Sequence, residues 1–291
     1  MSTRRVAFAT CRALPELDGD DRVALPALSE LGVEVVPAVW DDPAVDWSSF
    51  DLIVLRSCWD YDEKPAVFLA WLDTLEARGL PLQNPAAVAR WNVDKVHLRG
   101  LAEAGVPVIP TVWARAGEQR DLAATLDELE IEEAVVKPCI SLDANGTWRV
   151  SAADAPAQEA RFLEQLSTRD LMVQRYQPEI STDGEWSLVF LRGEYSHTSR
   201  KRPGPGDFRV QTERGGSRAA AEPAPELVTA ARRVLAHCPG PHLYARVDGV
   251  RSGDAFLLME VELIDPQLYL EDSPAGTLRF ARAVRELAAA R

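Results

Sequence analysis

The stretch Leu243–Ile264, LYARVDGVRSGDAFLLMEVELI, predicts a β-hairpin with an acidic face near the C-terminus. Apolar and aromatic residues flank a turn that we place at Ser252-Gly253. Successive side chains of a strand alternate between its two faces, so Glu260 and Glu262 point in the same direction. The hairpin therefore carries two carboxylates side by side at the end of its second strand.

A turn at that position also brings Asp248 and Arg246 to the acidic face. Asp248 is then expected opposite Leu258 and diagonal to Glu260. Three carboxylates on one face repel one another unless a cation lies between them. Ligands that are all oxygen suit Mg²⁺, which takes protein carboxylates together with phosphate oxygens and water. An antiparallel sheet with one solvated face shows the same alternation, so the hairpin alone leaves both interpretations open.

The overall composition predicts a globular, cytoplasmic protein that binds neither nucleic acid nor membranes. A chain of 291 residues exceeds one average hydrophobic core, which indicates two or three domains. The net charge of −13 is opposite to the basic surface that nucleic acids and anionic membranes require. No apolar run approaches the ~18 residues of a membrane span. Scattered cysteines without a CxxC pair indicate free thiols in a reducing compartment.

The order of apolar and polar stretches divides the chain into three segments. Residues 1–90 alternate short buried strands with helices, which predicts a Rossmann-like parallel sheet. Residues 91–172 predict a small α+β unit, and residues 173–291 predict a mainly antiparallel unit that contains the hairpin. The predicted elements include strands at 6–9, 33–36, 52–55, 172–176, 185–191 and 194–200, and helices at 21–31, 65–78 and 94–104.

The end of the third predicted strand is a candidate ligand site, because open parallel sheets bind ligands beyond the carboxyl ends of their strands. Arg56, Asp60 and Tyr61 follow that strand directly. For them, a substrate contact and a role in capping the next helix are equally consistent with the pattern. Trp59 favours a core position, and His197, on a predicted strand, favours a structural role over a catalytic one.

Lysine is rare in this chain. Of 32 basic residues only four are lysine, so each marks a place where a compact positive charge is kept. Lys95 lies in the first turn of the predicted helix 94–104. Lys137 ends a buried apolar strand, where its ammonium group must reach water or an anion. Lys201 precedes a loop rich in arginine and glycine, whereas Lys64 fits an exposed position.

That loop, Asp207–Ser217, offers groups that stabilise negative charge. Arg209 and Arg214 supply guanidinium groups, and Gly215 and Gly216 supply backbone N–H groups that no side chain obstructs. Such groups suit a transferring phosphoryl group or a tetrahedral oxyanion. A solvated arginine-rich turn is the alternative.

Taken in order, these features resemble the ATP-grasp superfamily, in the branch of glutathione synthetase and the ribosomal-protein glutamate ligases. The matching stretches are Trp91–Lys95, Val135–Pro138, Val173–Tyr176, Gly206–Gln211 with Arg214–Gly216, and Asp248 with Met259–Glu262. The similarity is greatest to the cyclo-ligases that act on O-ureido-D-serine in D-cycloserine synthesis. It implies an ATP-grasp fold with a Rossmann-like domain (1–90), a central lid subdomain (91–172) and an antiparallel-sheet subdomain with the metal site (173–291).

The resemblance also implies ATP and Mg²⁺ as ligands, with two metal ions. The lysines would hold the ATP phosphates, and the backbone of residues 174–176 would face the adenine edge. By role, the implied residues are Asp248, Glu260 and Glu262 for the metal, Lys95, Lys137, Gln174, Arg175 and Tyr176 for ATP, Arg209, Gly215, Gly216 and Lys201 for catalysis, and Arg56, Asp60, Tyr61, His197, Gln211 and Arg214 for the substrate.

The implied activity is an ATP-dependent carboxylate–nitrogen ligase that acts through an acyl-phosphate on a small-molecule carboxylate. When the nitrogen belongs to the same molecule, the product is a ring. An intermolecular amino-acid or peptide ligase and a nucleotide-binding regulator without turnover stay open, as does a homo-oligomer. Two positions depart from the superfamily pattern: Glu262 replaces an asparagine, and Glu185-Trp-Ser187 replaces an acid-x-Arg pair. The second departure favours the cyclo-ligases over enzymes with a glutathione-type substrate.

Overall fold

Three β-sheets with their helices organise the fold. The computed structural model describes residues 3–128, 130–253 and 255–290, with the backbone but not the side chain of Glu213. One sheet is parallel and two are antiparallel. This mixture confirms the predicted combination of α/β and α+β architecture.

The apolar runs of the N-terminal segment form the parallel sheet. Its elements are β1 (Arg4–Thr10), α1 (Gly19–Val23), α2 (Leu25–Glu30), β2 (Val33–Val39), β3 (Leu52–Ser57), α3 (Pro65–Ala77) and β4 (Leu82–Gln83). The strand order is β2-β1-β3-β4. The helix predicted over 21–31 is divided in two, because Pro26 lacks a backbone N–H and starts a new helix in its first turn.

The second sheet includes a strand that the sequence placed in the third segment. Two helices lead to it, α4 (Ala86–Asn92) and α5 (His97–Glu103), and its elements are β5 (Thr111–Ala114), α6 (Leu122–Asp127), β6 (Glu133–Pro138), β7 (Trp148–Ser151), α7 (Ala155–Leu166) and β8 (Leu171–Arg175). The strand order is β5-β8-β6-β7, so β8 pairs within this sheet although it crosses the predicted boundary at 172. Helix α5 begins three residues after the predicted start, which leaves Lys95 in a turn.

The third sheet contains the hairpin. Its elements are α8 (Glu179–Thr182), β9 (Glu185–Leu191), β10 (Glu194–Arg202), β11 (Ser217–Ala220), α9 (Pro225–Ala236), β12 (Tyr244–Ser252), β13 (Ala255–Glu262) and α10 (Pro274–Ala289). The strand order is β11-β10-β9-β12-β13. The sequence did not predict β11, because its four residues include no β-branched or aromatic side chain.

The first and third sheets share one hydrophobic core. Helix α10 places Phe280 against Phe8 of β1 and Tyr244 of β12, with ring centroids 6.1 and 6.4 Å apart. Leu98 and Leu101 of α5 also pack in the core of the third sheet. One side of the second sheet has its own core beneath α6 and α7, while Met172 of β8 packs in the core of the third sheet. The domain limits predicted at residues 90 and 172 stay predictions.

Two buried asparagines fix the hairpin to the chain that precedes the second sheet. Asn84 donates to Leu263 O at 2.6 Å and accepts from the Leu243 N–H at 2.6 Å. Asn92 donates to Val261 O at 2.7 Å and accepts from the Leu263 N–H at 2.6 Å. Three of these bonds hold the chain at the end of β13, next to its two glutamates, and the fourth holds Leu243 at the start of the hairpin.

In the described ranges no helix is both long and apolar enough to cross a membrane. The four cysteines are free thiols, as predicted, and three of them are buried.

Arg56, predicted as a substrate contact or a helix cap, is instead enclosed in the protein. Its side chain is 1% exposed, its Nη2 lies 2.6 Å from the Asp21 carboxylate, and it donates to Pro266 O at 2.9 Å. We expect Arg56→Met to lower the free energy of unfolding by about 3–5 kcal/mol, because it leaves the Asp21 charge buried and unpaired. Chemical denaturation measures this loss.

The control for Arg56 is an exposed arginine in a comparable ion pair. Arg90 pairs with Asp73 and Glu76 at the surface. Arg90→Met should lower the free energy of unfolding by less than about 1 kcal/mol. Equal losses for the two variants would contradict the structural role of the buried pair.

Candidate active site

A cavity of about 670 Å³ lies where the three sheets meet. Its wall includes Asp18 and Trp59 from the first segment, Lys137 and Gln174 from the second sheet, and Glu260 from the third. Pockets of ~300–1,000 Å³ accommodate small ligands and cofactors. The cavity is therefore large enough for a nucleotide and the reacting part of a second molecule.

The acidic face of the hairpin borders this cavity, in a register that differs from the predicted one. Asp248 lies opposite Glu260, and Arg246 lies opposite Glu262. Ser252 pairs with Ala255, one residue beyond the predicted register, and a β-bulge after Asp248 adds one more residue to β13, so Asp248 is displaced from its predicted partner Leu258. Oxygens of the three carboxylates all lie within 4.8 Å of one another. The predicted cluster is present, whereas the predicted pairing is wrong.

The surroundings of the two glutamates shift their pKa values in opposite directions. Burial raises the pKa of Glu260, but the charges of Lys95 and Lys137 outweigh it and hold the pKa at about 2. Burial raises the pKa of Glu262 to about 7, against the opposing charge of Arg246 and with the charge of Glu260 adding to the rise. Of the two glutamates, Glu262 is therefore the one whose negative charge is less stabilised by its surroundings. A donor set made only of carboxylates fits Mg²⁺.

Two of the predicted lysines reach the cavity next to these carboxylates. Lys95 Nζ lies 3.1 Å from Glu260 Oε1 and donates to Ser141 O at 2.5 Å. Lys137 Nζ donates to the neutral amide oxygen of Gln174 at 2.8 Å, and burial lowers its pKa. An ammonium group that is buried beside a neutral partner is stabilised by an anion, so Lys137 fits a phosphate.

Lys201, predicted as a catalytic residue, is also buried at the cavity. Its Nζ lies 2.5 Å from Glu185 Oε1 and 3.9 Å from Asp248 Oδ1. Burial lowers the pKa of Lys201, but the charges of Asp248 and Glu185 raise it above its usual range. Glu185, one of the departures from the superfamily pattern, thus provides the counter-charge of this lysine.

The turn that carries Lys95 is fixed by its backbone. The Lys95 N–H donates to Cys139 O at 2.9 Å, and the Val96 N–H donates to the Asp94 carboxylate at 2.8 Å. The next N–H groups, from His97 to Arg99, donate to the carbonyl groups three residues back, so the chain forms a tighter turn here and α5 starts only at His97. The turn holds the lysine against the loop that follows Lys137.

His97 gives this turn a pH dependence. It stacks on Trp91 with ring centroids 4.5 Å apart, and burial lowers its pKa from 6.5 to about 4. Above pH 6.5 the imidazole is neutral in both the folded and the unfolded chain. As the pH falls from 6.5 towards 4, only the unfolded chain takes up the proton, so stability falls by about 1.4 kcal/mol per pH unit.

We therefore expect wild type to lose about 2 kcal/mol more than His97→Phe between pH 7 and pH 5, since phenylalanine keeps the stack and does not titrate. Urea denaturation of both proteins at the two pH values measures the difference. Parallel pH profiles would show that His97 does not contribute.

The arginine and glycine loop differs from its predicted function in two respects. Arg209 lines the cavity, but its guanidinium binds the Asp207 carboxylate, with Nη2 to Oδ2 at 2.7 Å. The N–H groups of Gly215 and Gly216 already donate to Thr212 O and Gln211 O, each at 3.0 Å. They are therefore not available to an oxyanion.

The two glycines serve the shape of that loop. Gly215 has a φ of +82°, and a Cβ on Gly216 would lie 2.2 Å from Val210 O. Sequence reasoning took the absence of side chains as access to the N–H groups. In the structure, the absence of a side chain allows the left-handed turn at Gly215 and the close backbone packing at Gly216.

The segment predicted to meet the adenine also uses its N–H groups within the protein. Gln174, Arg175 and Tyr176 line the cavity. The Arg175 N–H donates to Pro110 O at 2.9 Å, and the Tyr176 N–H donates to Glu133 O at 2.8 Å. These two N–H groups are therefore not available to an adenine edge.

Most of the predicted substrate residues are not on the cavity wall. Asp60 binds Trp40 and Lys64, Tyr61 stacks on Phe68, and His197 lies between Ser196 and Leu268 O. Arg214 reaches Asp143 O at 3.5 Å. Gln211 does line the cavity, and its Oε1 is buried without a hydrogen-bond partner among the residues that the structure describes. Of the six predicted substrate residues, Gln211 is the one whose position suits a ligand contact.

Sequence reasoning missed several residues of the wall, because they meet only in the folded chain. Trp59, which the pattern favoured as a core residue, lines the cavity and donates to Asp265 O at 3.1 Å. Asp265 itself follows β13, and Asp18 precedes α1. Nothing in their sequence neighbourhoods marks them as site residues.

Comparison with known proteins gives this arrangement a family. A family description, D-cycloserine synthetase DcsG, N-terminal domain, matches residues 6–84. The cycloserine biosynthesis protein DcsG of Streptomyces lavendulae is 35% identical over 296 aligned residues, which cover 97% of this chain and 98% of the relative. The chain belongs to the DcsG family of ATP-grasp ligases. As a member of that family it is an ATP-dependent ligase, which removes the alternative of a regulator without turnover.

Solved structures agree with this assignment. The crystal structure of D-cycloserine synthetase DcsG superimposes with a TM-score of 0.87 and 30% identity, over 98% of this chain and 99% of that one. An ATP-grasp protein with a RimK domain from Sphaerobacter thermophilus has a TM-score of 0.70 at 22% identity, covering 96% and 99%. The ATP-grasp fold predicted from the sequence is thereby confirmed.

Proposed function

We propose that the chain closes a ring in an amino acid of the O-ureido-D-serine type, joining its carboxylate to a nitrogen of the same molecule. One observation carries the proposal: three carboxylates and two partly buried lysines line a single cavity. The DcsG relatives, which are named for cycloserine, support this choice of substrate. The proposed partner is a small molecule, not a nucleic acid or a membrane.

In this proposal Lys95 and Lys137 bind the ATP phosphates. Asp248, Glu260 and Glu262 would hold Mg²⁺, with two ions. The bound metal supplies positive charge that offsets the phosphates during transfer. Lys95 pairs with Glu260 and therefore also keeps that carboxylate ionised and ready to bind the metal.

The proposed reaction has two steps. A carboxylate oxygen of the substrate attacks the γ-phosphorus, and the bond from that phosphorus to the bridging oxygen breaks to release ADP. A nitrogen of the same molecule then attacks the acyl carbon and loses its proton, and phosphate leaves. Lys201 and Arg246, which both pair with Asp248, offset the negative charge of the acyl oxygen. Arg209 can contribute only after it leaves Asp207.

Product analysis tests the proposal. Incubation with ATP, Mg²⁺ and O-ureido-D-serine should give ADP and phosphate in equal amounts and a cyclic product by mass spectrometry. Hydroxylamine should divert part of the reaction to a hydroxamate, because it traps an acyl-phosphate. AMP and pyrophosphate would contradict the mechanism. A linear product formed only after addition of a second amino acid would indicate the intermolecular ligase instead.

A further inference from the structure

One carboxylate on the cavity wall has no role in the scheme above. Asp265 lies three residues after Glu262 and is 5% exposed. Its Oδ2 is buried and has no hydrogen-bond partner among the described residues. Leaving a buried acceptor unpaired is costly, so such an atom in a ligand cavity indicates a donor that arrives with the ligand.

The other acids at this end of the cavity are already used. Asp20 accepts from the Leu268 and Leu270 N–H groups at 2.8 and 2.5 Å. Asp18 accepts from the Asp20 N–H at 3.0 Å and from Gln267 Nε2 at 3.3 Å. These bonds fix the loop that carries Asp265 while leaving its Oδ2 unused.

Glu271, a further acid on this wall, is also paired, since it binds Arg218. Asp265 therefore differs from its acidic neighbours in offering an oxygen to a ligand.

The surroundings of Asp265 favour a cationic donor over a neutral one. Burial raises the pKa of its carboxyl group well above the usual range and the charge of Glu262 adds to the rise, which outweighs the opposing effects of the Arg56 charge and the Cys58 N–H. A positive group from a ligand would reverse this effect and stabilise the carboxylate. Trp59, whose indole N–H binds Asp265 O, lines the wall beside it, and an indole face also attracts cations.

A metal ion is a poor candidate for this position. The described group of carboxylates close enough to share an ion is Asp248, Glu260 and Glu262, and Asp265 is not part of it. A single carboxylate next to an indole instead suits an organic ammonium group. We propose that Asp265 binds the α-ammonium group of the substrate and makes the enzyme selective for amino acids.

This inference rests on the proposed function, because it takes an amino acid as the substrate. It adds the residue that would distinguish O-ureido-D-serine from a molecule with the same carboxylate and ureido-oxy groups but no amine. That molecule is 3-(carbamoylaminooxy)propanoate. The comparison of the two compounds isolates the contribution of the ammonium group.

The experiment measures binding and turnover of both compounds. Calorimetry with Mg²⁺ and a non-hydrolysable ATP analogue gives the two dissociation constants, and ADP release gives the two values of kcat/KM. We expect wild type to prefer the amino compound by about 100-fold, the effect of a buried charge pair. Asp265→Asn should reduce that preference to less than about fivefold, because it weakens the binding of the amino compound alone.

Glu271→Gln is the matched control, because it removes a carboxylate from the same wall that already has an arginine partner. It should leave the preference unchanged. The melting temperature and the affinity for the ATP analogue report whether Asp265→Asn is folded. If that variant does not fold, the wild-type preference decides, and a preference below about tenfold overturns the inference.

The remaining outcomes separate this inference from the proposed function. If the ring forms but Asp265→Asn keeps the wild-type preference, the inference is wrong and the function stands. If Asp265→Asn weakens the binding of both compounds equally, Asp265 has a structural role and the inference is again wrong. One such role is to hold a water shared with Arg56, whose Nη1 is buried without a described partner. If the amino compound binds with the expected preference but no ADP is released, the proposed function fails and the ammonium site stands.

Discussion

Glu260→Gln should lower the rate of ADP formation by about 10³-fold, because removal of one charged ligand weakens the metal that offsets the phosphates. The substitution keeps the shape of the side chain and removes the charge that Lys95 pairs with at 3.1 Å. The same change should raise the Mg²⁺ concentration for half-maximal activity by about 10- to 100-fold. Steady-state assays across a Mg²⁺ titration measure both effects.

The control is a glutamate of the same sheet that lies far from the cavity wall. Glu194 begins β10, is exposed, and pairs with Arg232. Glu194→Gln should leave both the rate and the Mg²⁺ dependence as in wild type. A Glu260 variant with near-normal activity and an unchanged Mg²⁺ requirement would show that the cluster does not hold the catalytic metal.

Lys137→Met should lower kcat/KM for ATP by about 10²- to 10³-fold, the effect of removing one preorganised donor to a charged reacting group. The free energy of unfolding should not follow the loss of activity. The ammonium group is buried beside a neutral amide, so without nucleotide its replacement by methionine should not lower the free energy of unfolding. Kinetic assays and chemical denaturation of the same variant test the two expectations together.

Lys64→Met provides the comparison for Lys137, since Lys64 pairs with Asp41 and Asp60 outside the cavity. It should leave kcat/KM for ATP unchanged. Loss of activity in Lys137→Met together with a loss of stability would indicate a structural lysine. Normal activity would remove Lys137 from the ATP site.

The parts of the site that the sequence predicted depend on local periodicity. Glu260 and Glu262 share a face because strand side chains alternate, and that remains true whatever the partner strand does. The position of Asp248 depends on register, and a turn displaced by one residue together with one bulged residue changed its partner from Leu258 to Glu260. Register is set by tertiary packing, which the sequence of one strand does not contain.

The parts that the sequence did not predict depend on hydrogen bonds between distant segments. Gly215 and Gly216 were assigned to an oxyanion, but their N–H groups close their own turn. Arg56 follows a strand at the predicted edge, yet a buried carboxylate 35 residues earlier in the chain captures it. In both cases a residue of the expected type is present, and a partner inside the protein takes the contact that a ligand was expected to make.

The division of the hydrophobic core has a consequence for motion. The first and third sheets share side chains such as Phe280 in one core, whereas the second sheet packs around its own core on one side and places only Met172 among the buried residues of the third sheet's core on the other. Regions packed around different cores differ in local stability, so the second sheet should exchange its amide hydrogens with a protection pattern of its own. Lys137 belongs to that sheet and Glu260 to the other body. Each opening of the second sheet would therefore separate the phosphate-binding lysine from the metal-binding glutamate, and each closing would assemble the two halves of the catalytic site.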